Sequence, residues 1–307
     1  MRGIFVLVVV FASSIVAQAQ DSPAPQLGDH IFVPVTSLAE PFITTHVQTT
    51  ISVGKTINAT IPVYDIENDE AVRSAKADLF VAGIGFRFQH AAKEWLAVRL
   101  GLGTFGRLGT DTSSLLADGV TGSLGYDLGW QVRLYRAEKF ILSGSMALGN
   151  QSATFINLLD WAEGLISGEG VPLVRSRNSL RGSGELHAGW GISRRFGLLG
   201  TFGMIYGESF DGKGQNDWKK DARLAVSYDL VHDIKIPLGL ALTGGHYESD
   251  TAGGARQGVW FWSARLAAQG RKDFSIGLDL STSYFESPRH GSKLQVSQIS
   301  IDMRYYY

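Results

Sequence analysis

Apolar and polar residues alternate with a period of two along most of this chain. In residues 120–135, for example, Leu124 and Leu128 fall in one phase of the alternation, and Ser123 and Asp127 fall in the other. Successive side chains of an extended strand point to opposite faces of the sheet. The pattern therefore predicts a β-strand with one apolar face and one polar face.

Twelve segments show this alternation, and short turns alternate with longer connections between them. The predicted strands cover residues 42–53, 79–89, 95–105, 120–135, 140–149, 180–192, 196–206, 222–230, 238–247, 260–268, 274–285 and 299–307. All eight prolines fall outside these segments, as expected for residues that cannot donate to a sheet ladder. An even number of strands joined in this way is typical of an up-and-down antiparallel β-barrel.

The last segment, residues 299–307, ends on an aromatic side chain. Ile301 and Met303 lie on its apolar face and Asp302 on its polar face, and Tyr307 is the final residue. This strand resembles the closing strand of Gram-negative, porin-like outer-membrane β-barrel proteins, which usually end in Phe, although it assigns no specific family. The resemblance implies an all-β fold, a single transmembrane barrel in the cell outer membrane with both termini periplasmic. It also implies contact with outer-membrane lipid and lipopolysaccharide, and recognition of the closing strand by the barrel-assembly machinery.

The beginning of the chain has a different composition. Residues 1–19 combine Arg2, an apolar run over 4–16 and an Ala-Gln-Ala cleavage site, and we expect them to be a signal peptide. Residues 20–41 are rich in proline and show little periodicity, which predicts a periplasmic N-terminal segment. Insertion of this segment into the lumen is an alternative that the sequence leaves open. The barrel itself is expected to cover residues 42–307.

Composition and spacing argue against several kinds of site. The chain has no cysteine and a formal net charge of −1, so thiol chemistry is excluded and a nucleic-acid partner is not expected. The seven histidines show no ligand spacing, so we expect no metal and no cofactor. Ser183, Glu185 and His187 share one strand face, but residues two apart on a strand are about 7 Å apart. They are therefore interpreted as polar lining, and no enzymatic activity is expected.

Charged residues in the polar phase of the strands are expected to line the lumen. With His187, they are Arg87, Arg99, Asp127, Arg133, Arg181, Glu185, Arg223, Asp229, Arg265, Asp279, Asp302 and Arg304. The seven arginines outnumber the five carboxylates, which favours anions in an open pore, whereas mutually paired charges would fill the interior. Barrels of about 8 strands are filled by side chains and those of about 16 hold a wide channel, so twelve strands predict a narrow one.

The longest gap between strands contains a possible helix over residues 155–166. Its apolar residues recur at helical spacing, and the residues expected to narrow the lumen are Phe155, Leu158, Leu159 and Trp161. The sequence thus predicts a narrow channel for passive passage of small polar solutes, anions among them. The alternatives are a lumen-filled structural or adhesive barrel and, less favoured, a lipid-modifying barrel enzyme.

Overall fold

The computed structural model describes residues 25–57, 59–65, 70–77, 79–109, 120–156, 165–168, 173–208, 216–250, 256–269, 273–286 and 293–307. These residues form a closed barrel of twelve strands and two small two-stranded sheets. The strands are β1 (Gln26–Leu27), β2 (His30–Ile31), β3 (His46–Ile57), β4 (Ala59–Asp65), β5 (Glu70–Ala77), β6 (Leu79–Lys93), β7 (Leu96–Gly109), β8 (Val120–Arg136), β9 (Phe140–Ile156), β10 (Val174–Gly191), β11 (Phe196–Glu208), β12 (Asn216–Asp229), β13 (Leu238–Asp250), β14 (Arg256–Ala268), β15 (Phe274–Glu286) and β16 (Lys293–Tyr306), with helix α1 (Val231–Ile234) after β12.

The barrel closes between its first strand, β3, and its last strand, β16. Their antiparallel ladder extends from the pair of His46 and Tyr306 to the pair of Ile57 and Gln295. On its other side β3 pairs with β6, and from β6 onward each strand pairs with the next. Each predicted strand corresponds to one barrel strand, which confirms the all-β, twelve-stranded antiparallel barrel.

The two phases of each strand have opposite environments. Outside the barrel, Leu128 is 55 % exposed and Leu148 is 62 % exposed, whereas the inward-facing Gln131 and Ser143 are buried. The ladders pair the backbone groups of neighbouring strands all around the barrel. The side chains on its outer surface are mainly apolar. A surface of this kind suits contact with hydrocarbon, where an unpaired backbone group is costly.

The connections between the barrel strands differ at the two ends of the barrel. Short turns join β6 to β7, β8 to β9, β10 to β11, β12 to β13 and β14 to β15, all at one end. His46 and Tyr306, the first and last residues of the barrel, also lie at this end, because they pair with each other. We call it the short-turn end and the opposite end the loop end.

At the loop end, β4 and β5 form a hairpin outside the barrel. This part of the chain falls between the predicted strands 42–53 and 79–89, but it contains paired strands, and Pro62 is opposite Ser74. The expectation that every proline falls outside strands is therefore wrong for Pro62. A two-stranded hairpin consists of edge strands only, and proline is tolerated on an edge because its nitrogen has no hydrogen to donate.

The predicted helix over residues 155–166 is wrong at its beginning. β9 continues to Ile156, and Phe155 lies in this strand opposite Arg175 of β10. Leu158, Leu159 and Trp161 lie outside the described residues, and residues 165–167 are helical. No helix in the described part of the chain is long and apolar enough to cross a membrane.

Candidate functional site in the barrel lumen

Residues 25–45 lie inside the barrel at its short-turn end, and we call them the plug segment. Phe32 and Val33, near its middle, are almost completely buried. They belong to an apolar core shared with the barrel wall, formed by Leu27, Phe32, Val33, Val35, Leu38, Phe42, Ile141, Leu199, Ala225, Ala241 and Ala267. Of the two placements that the sequence leaves open for this part of the chain, the structure has the one inside the lumen.

Glycines in the wall allow the plug segment to approach closely. A Cβ atom on Gly197 would lie 2.5 Å from a ring carbon of Phe32, and one on Gly239 would lie 2.4 Å from a methyl carbon of Val33. Both distances are too short for real contacts. The apolar core at the short-turn end therefore depends on the absence of side chains at these two wall positions.

Inward-facing amide side chains bind the backbone of the plug segment. Gln131 donates to the carbonyl oxygen of Glu40 at 2.8 Å, and Gln89 donates to that of Phe42 at 2.9 Å. Two further donors are Thr201 to Ala39 and Gln269 to Phe32, both at 3.0 Å. Outside its two short strands the segment has no ladder partner, so these wall side chains satisfy carbonyl groups that burial would otherwise leave unpaired.

A buried ion pair joins the plug segment to the last strand. Nη1 of Arg304 lies 2.8 Å from Oε1 of Glu40, and the two side chains are 3 % and 8 % exposed. The same carboxylate oxygen accepts the backbone N–H of Val35 at 3.1 Å, and Arg304 also donates to Gln48 at 3.3 Å. The Glu40 carboxylate therefore connects two parts of the plug segment with each other and also connects the segment with β16.

Three further charged residues form a buried group in the wall beside this pair. Arg265 donates to Asp279 at 2.5 Å and to Asp302 at 2.6 Å, and all three side chains are at most 2 % exposed. Gln48 donates to the other oxygen of Asp302 at 2.7 Å. These charges offset one another and fill space, as the paired-charge alternative requires.

A polar cavity of about 500 Å³ extends from the plug segment toward the loop end. Ser37, Leu38, Ala39, Glu40 and Phe42 of the plug segment contribute to its lining at the short-turn side. Its charged lining residues are Arg87, Arg99, Arg181, Lys219, Arg223 and Arg304, with Glu40, Asp127, Glu185, Glu208, Asp221 and Glu248. Six cations face six carboxylates, so the lining as a whole lacks the excess of cations that the strand pattern predicts for the lumen.

The pairing of these charges is uneven. Arg223 forms an ion pair with Asp221. Arg87 and Arg99 lie diagonally on adjacent strands, because Arg87 is opposite Gly101, two residues beyond Arg99. Within the described part of the chain neither has a hydrogen bond or an ion pair, and the Arg87 side chain is exposed to the cavity. The carboxylate of Asp127 lies over Gly101 beside them, so the local charge is positive but not isolated.

A second cavity, of about 490 Å³, lies at the short-turn end. It is enclosed by both ends of the plug segment and by the turn between β8 and β9, with Pro25, Gln26, Thr44, Arg136, Glu138 and Ile141 among its lining residues. Phe42 lines this cavity and the larger one. Phe42 therefore lies at the boundary between the two cavities.

His187 takes part in a polar cluster that sequence spacing does not reveal. Its Nε2 lies 2.8 Å from Oγ of Ser145 on the neighbouring strand, not near Ser183, and 3.5 Å from Glu185. Its Nδ1 contacts the hydroxyl of Thr201 at 3.2 Å. In a Ser-His-acid triad a carboxylate binds Nδ1, and here a neutral hydroxyl takes that position. We interpret the cluster as polar lining rather than as a nucleophile and its base.

The predicted lumen-lining residues thus separate into groups. Those that line the larger cavity are Arg87, Arg99, Asp127, Arg181, Glu185, Arg223 and Arg304, while Arg265, Asp279 and Asp302 are buried in the wall. Near the short turns, Arg133 lies 3.8 Å from Glu94, and Asp229 accepts the backbone N–H of Val231 at 2.9 Å. Among the described residues, no group of three or more His, Cys, Asp or Glu side chains is placed to hold a metal ion.

Comparison with known proteins identifies the class of fold to which the barrel belongs. No protein-family model matches the chain, and no curated protein matches it. Among solved structures, an outer-membrane channel from Pseudomonas putida F1 superposes with a TM-score of 0.57 at 12 % identity, covering 90 % of this chain and 99 % of that one. The β domain of a Bordetella autotransporter gives a TM-score of 0.49 at 13 % identity, covering 86 % of this chain and 100 % of that one. The first likeness confirms that the chain has the fold of outer-membrane β-barrel proteins.

Proposed function

We propose that this protein is a channel of the cell outer membrane through which small polar solutes pass passively. The polar cavity of about 500 Å³ inside a closed barrel with an apolar exterior is the observation that carries this proposal. In this arrangement the short-turn end and both termini face the periplasm. Membrane lipid and lipopolysaccharide contact the outer surface, and the barrel-assembly machinery takes up β16 during insertion.

Arg87 and Arg99 make anions the favoured solutes within this proposal. The two guanidinium groups stand at the cavity without a bonded carboxylate in the described part of the chain, whereas Arg223 and Arg304 are paired. An unpaired cation in a narrow lumen attracts anions, since the low-dielectric wall screens charge weakly. Asp127 beside them limits the preference to a moderate one.

Ion conduction across planar lipid bilayers tests both the channel function and the preference for anions. We expect discrete conductance steps from the full-length protein and, in a KCl gradient, a zero-current potential that indicates chloride preference. Replacing both Arg87 and Arg99 by glutamine should move that potential toward the unselective value. The matched control is Arg194→Gln, because this arginine lies 71 % exposed on a turn and its loss leaves the cavity unchanged.

These measurements distinguish failure of the anion preference from failure of the channel function. An unchanged zero-current potential in the double variant would contradict the anion preference alone. Leu158, Leu159 and Trp161 remain proposed as a second narrowing of the path, separate from the plug segment. A variant lacking residues 157–170, which leaves β9 intact, should therefore conduct with larger steps than the wild type. We also propose that the barrel is not an enzyme, so the refolded protein should hydrolyse no membrane lipid.

A lumen-filled structural or adhesive barrel is the second candidate function. The plug segment favours it, because this segment occupies the lumen at the short-turn end with an apolar core and a buried ion pair. The two candidates differ in one measurement. A structural barrel would show no conductance in the wild-type protein or in any variant that weakens the plug segment, whereas a channel would conduct in at least one of them.

A further inference from the structure

We infer that the side chain of Phe42 is the constriction of the proposed channel, and that its movement joins the two cavities into one path. The larger cavity reaches the loop end, and the smaller one lies at the short-turn end. Phe42 lines both, and it is 5 % exposed. This inference rests on the proposed channel function and names the residue that limits passage.

The backbone on both sides of Phe42 is fixed. The carbonyl oxygen of Phe42 accepts a hydrogen bond from Gln89, which also donates to the carbonyl oxygen of Thr44 at 3.0 Å. Two residues earlier, Glu40 is held by Gln131 and by the buried ion pair with Arg304. The side chain between these anchors is therefore the part that moves with the least disruption.

The backbone of Phe42 is held by a hydrogen bond, whereas its ring is held by packing alone. The ring packs against Phe32 with a centroid separation of 5.2 Å in a tilted arrangement, and Phe42 is a lining residue of both cavities. Rotation about its side-chain torsions breaks no hydrogen bond. This rotation moves the ring from a buried position into water. The buried position, which closes the path, is therefore favoured by roughly 10- to 100-fold in population.

Release of the whole plug segment is the competing way to open the lumen. It requires loss of the ion pair, of the wall hydrogen bonds and of an apolar core that includes Leu27 and Val33. Each of these losses adds to the same barrier, whereas the ring rotation removes only Phe42 from the apolar core and leaves the ion pair and the wall hydrogen bonds intact. The structure therefore favours brief openings at Phe42 with the plug segment in place, and a path that admits only small solutes.

The test compares single-channel records of three full-length variants with those of the wild type. Phe42→Ala should conduct with an open probability roughly 10- to 100-fold above that of the wild type, because no ring is left to close the path. Phe42→Tyr keeps the ring and should retain the brief openings of the wild type. Leu27→Ala removes a comparable buried side chain that lines neither cavity, and it should also behave like the wild type. Equal opening in Leu27→Ala and Phe42→Ala would indicate release of the plug segment and overturn the inference.

An introduced disulfide separates ring movement from release. The chain has no cysteine, and the backbone nitrogen of Val33 lies 3.0 Å from Oγ of Ser227, so Val33→Cys and Ser227→Cys place two thiols on neighbouring residues of the plug segment and β12. Loss of free thiol on oxidation shows that the tether has formed. In the Phe42→Ala background, the oxidised protein should conduct as well as the reduced one. Conduction that disappears on oxidation and returns with dithiothreitol would overturn the inference.

A fourth variant distinguishes failure of this inference from failure of the proposed function. Glu40→Ala removes the buried ion pair and weakens the plug segment as a whole. Conduction by Glu40→Ala without any effect of Phe42→Ala would overturn the role of Phe42 and leave the channel function in place. If neither variant conducts although both show the circular dichroism of a folded barrel, the channel function itself is contradicted.

Discussion

Glu40→Ala is expected to increase the fraction of molecules whose plug segment is released. The increase should be far larger than that caused by replacing an exposed charged residue of the same segment. The carboxylate of Glu40 binds Arg304 at 2.8 Å and the backbone N–H of Val35 at 3.1 Å. Without it, Arg304 is left 3 % exposed with only Gln48, Tyr306 and the nearby Asp302 to compensate its charge. Removing one partner of a buried ion pair is strongly destabilising, because the other charge stays away from water.

The size of the effect follows from this burial. Loss of one partner of a buried pair costs about 3–5 kcal/mol. The lower end applies here, since Arg304 retains its hydrogen bond to Gln48. At 1.36 kcal/mol for each factor of ten, about 3 kcal/mol increases the released population roughly 150-fold.

Thiol labelling of Val33→Cys measures that population directly. Val33 is fully buried, and the protein has no other cysteine, so a maleimide reacts at this position only after the plug segment leaves the wall. The labelling rate in the Glu40→Ala background should therefore be roughly 150-fold higher than in the wild-type background. The barrel must remain folded in both, which its circular dichroism monitors.

Asp29 supplies the matched control on the same segment. It pairs with Arg194 at the same distance of 2.8 Å, but the two side chains are 64 % and 71 % exposed. Asp29→Ala should increase labelling by no more than about fivefold, because an exposed ion pair contributes about 0.2–1 kcal/mol. Equal labelling in the two variants, or no change in Glu40→Ala, would refute the conclusion that burial of the ion pair holds the plug segment.

Three further predictions concern the barrel itself. Arg265→Ala leaves two buried carboxylates without their cation, and urea titration in lipid vesicles should show a loss of about 3–5 kcal/mol in unfolding free energy. Leu128→Arg, on the outer face midway along β8, should cost about 2–4 kcal/mol by the same titration. Gln151→Glu, a charged substitution that lines the cavity and keeps an acceptor for Arg181, should cost little. Gly129→Ala should cost about 1–3 kcal/mol, because the added Cβ would lie 2.4 Å from a backbone oxygen of β9. A stability equal to wild type in Arg265→Ala, Leu128→Arg or Gly129→Ala would contradict the packing or charge argument stated for that variant.

The barrel was predictable because its period of two is visible in the sequence. Leu124 and Leu128 alternate with Ser123 and Asp127, and the structure exposes the two leucines on the outer face of β8. Residues 42–53 show the weakest alternation of the twelve segments, and their β-branched residues on one face still predict a strand. The structure pairs this strand, β3, with the closing strand β16.

The interior was less predictable, because pairing inside a lumen depends on register between strands. Ser145 and His187 are 42 positions apart in the chain, and only the alignment of β9 with β10 brings them to 2.8 Å. The plug segment packs without regular periodicity, so the pattern that reveals strands cannot reveal it. Its signal was the set of apolar residues Phe32, Val33 and Leu38, which is unusual for a segment in water.

The ion pair between Glu40 and Arg304 has a consequence for the order of assembly. Its partners are 264 positions apart, and Arg304 belongs to the strand that is made last. The plug segment is made before any barrel strand, yet its buried carboxylate finds a cation only when β16 has been added. The plug segment therefore gains this ion pair only when the barrel is complete. A chain that stops before β16 leaves Glu40 without its counter-ion.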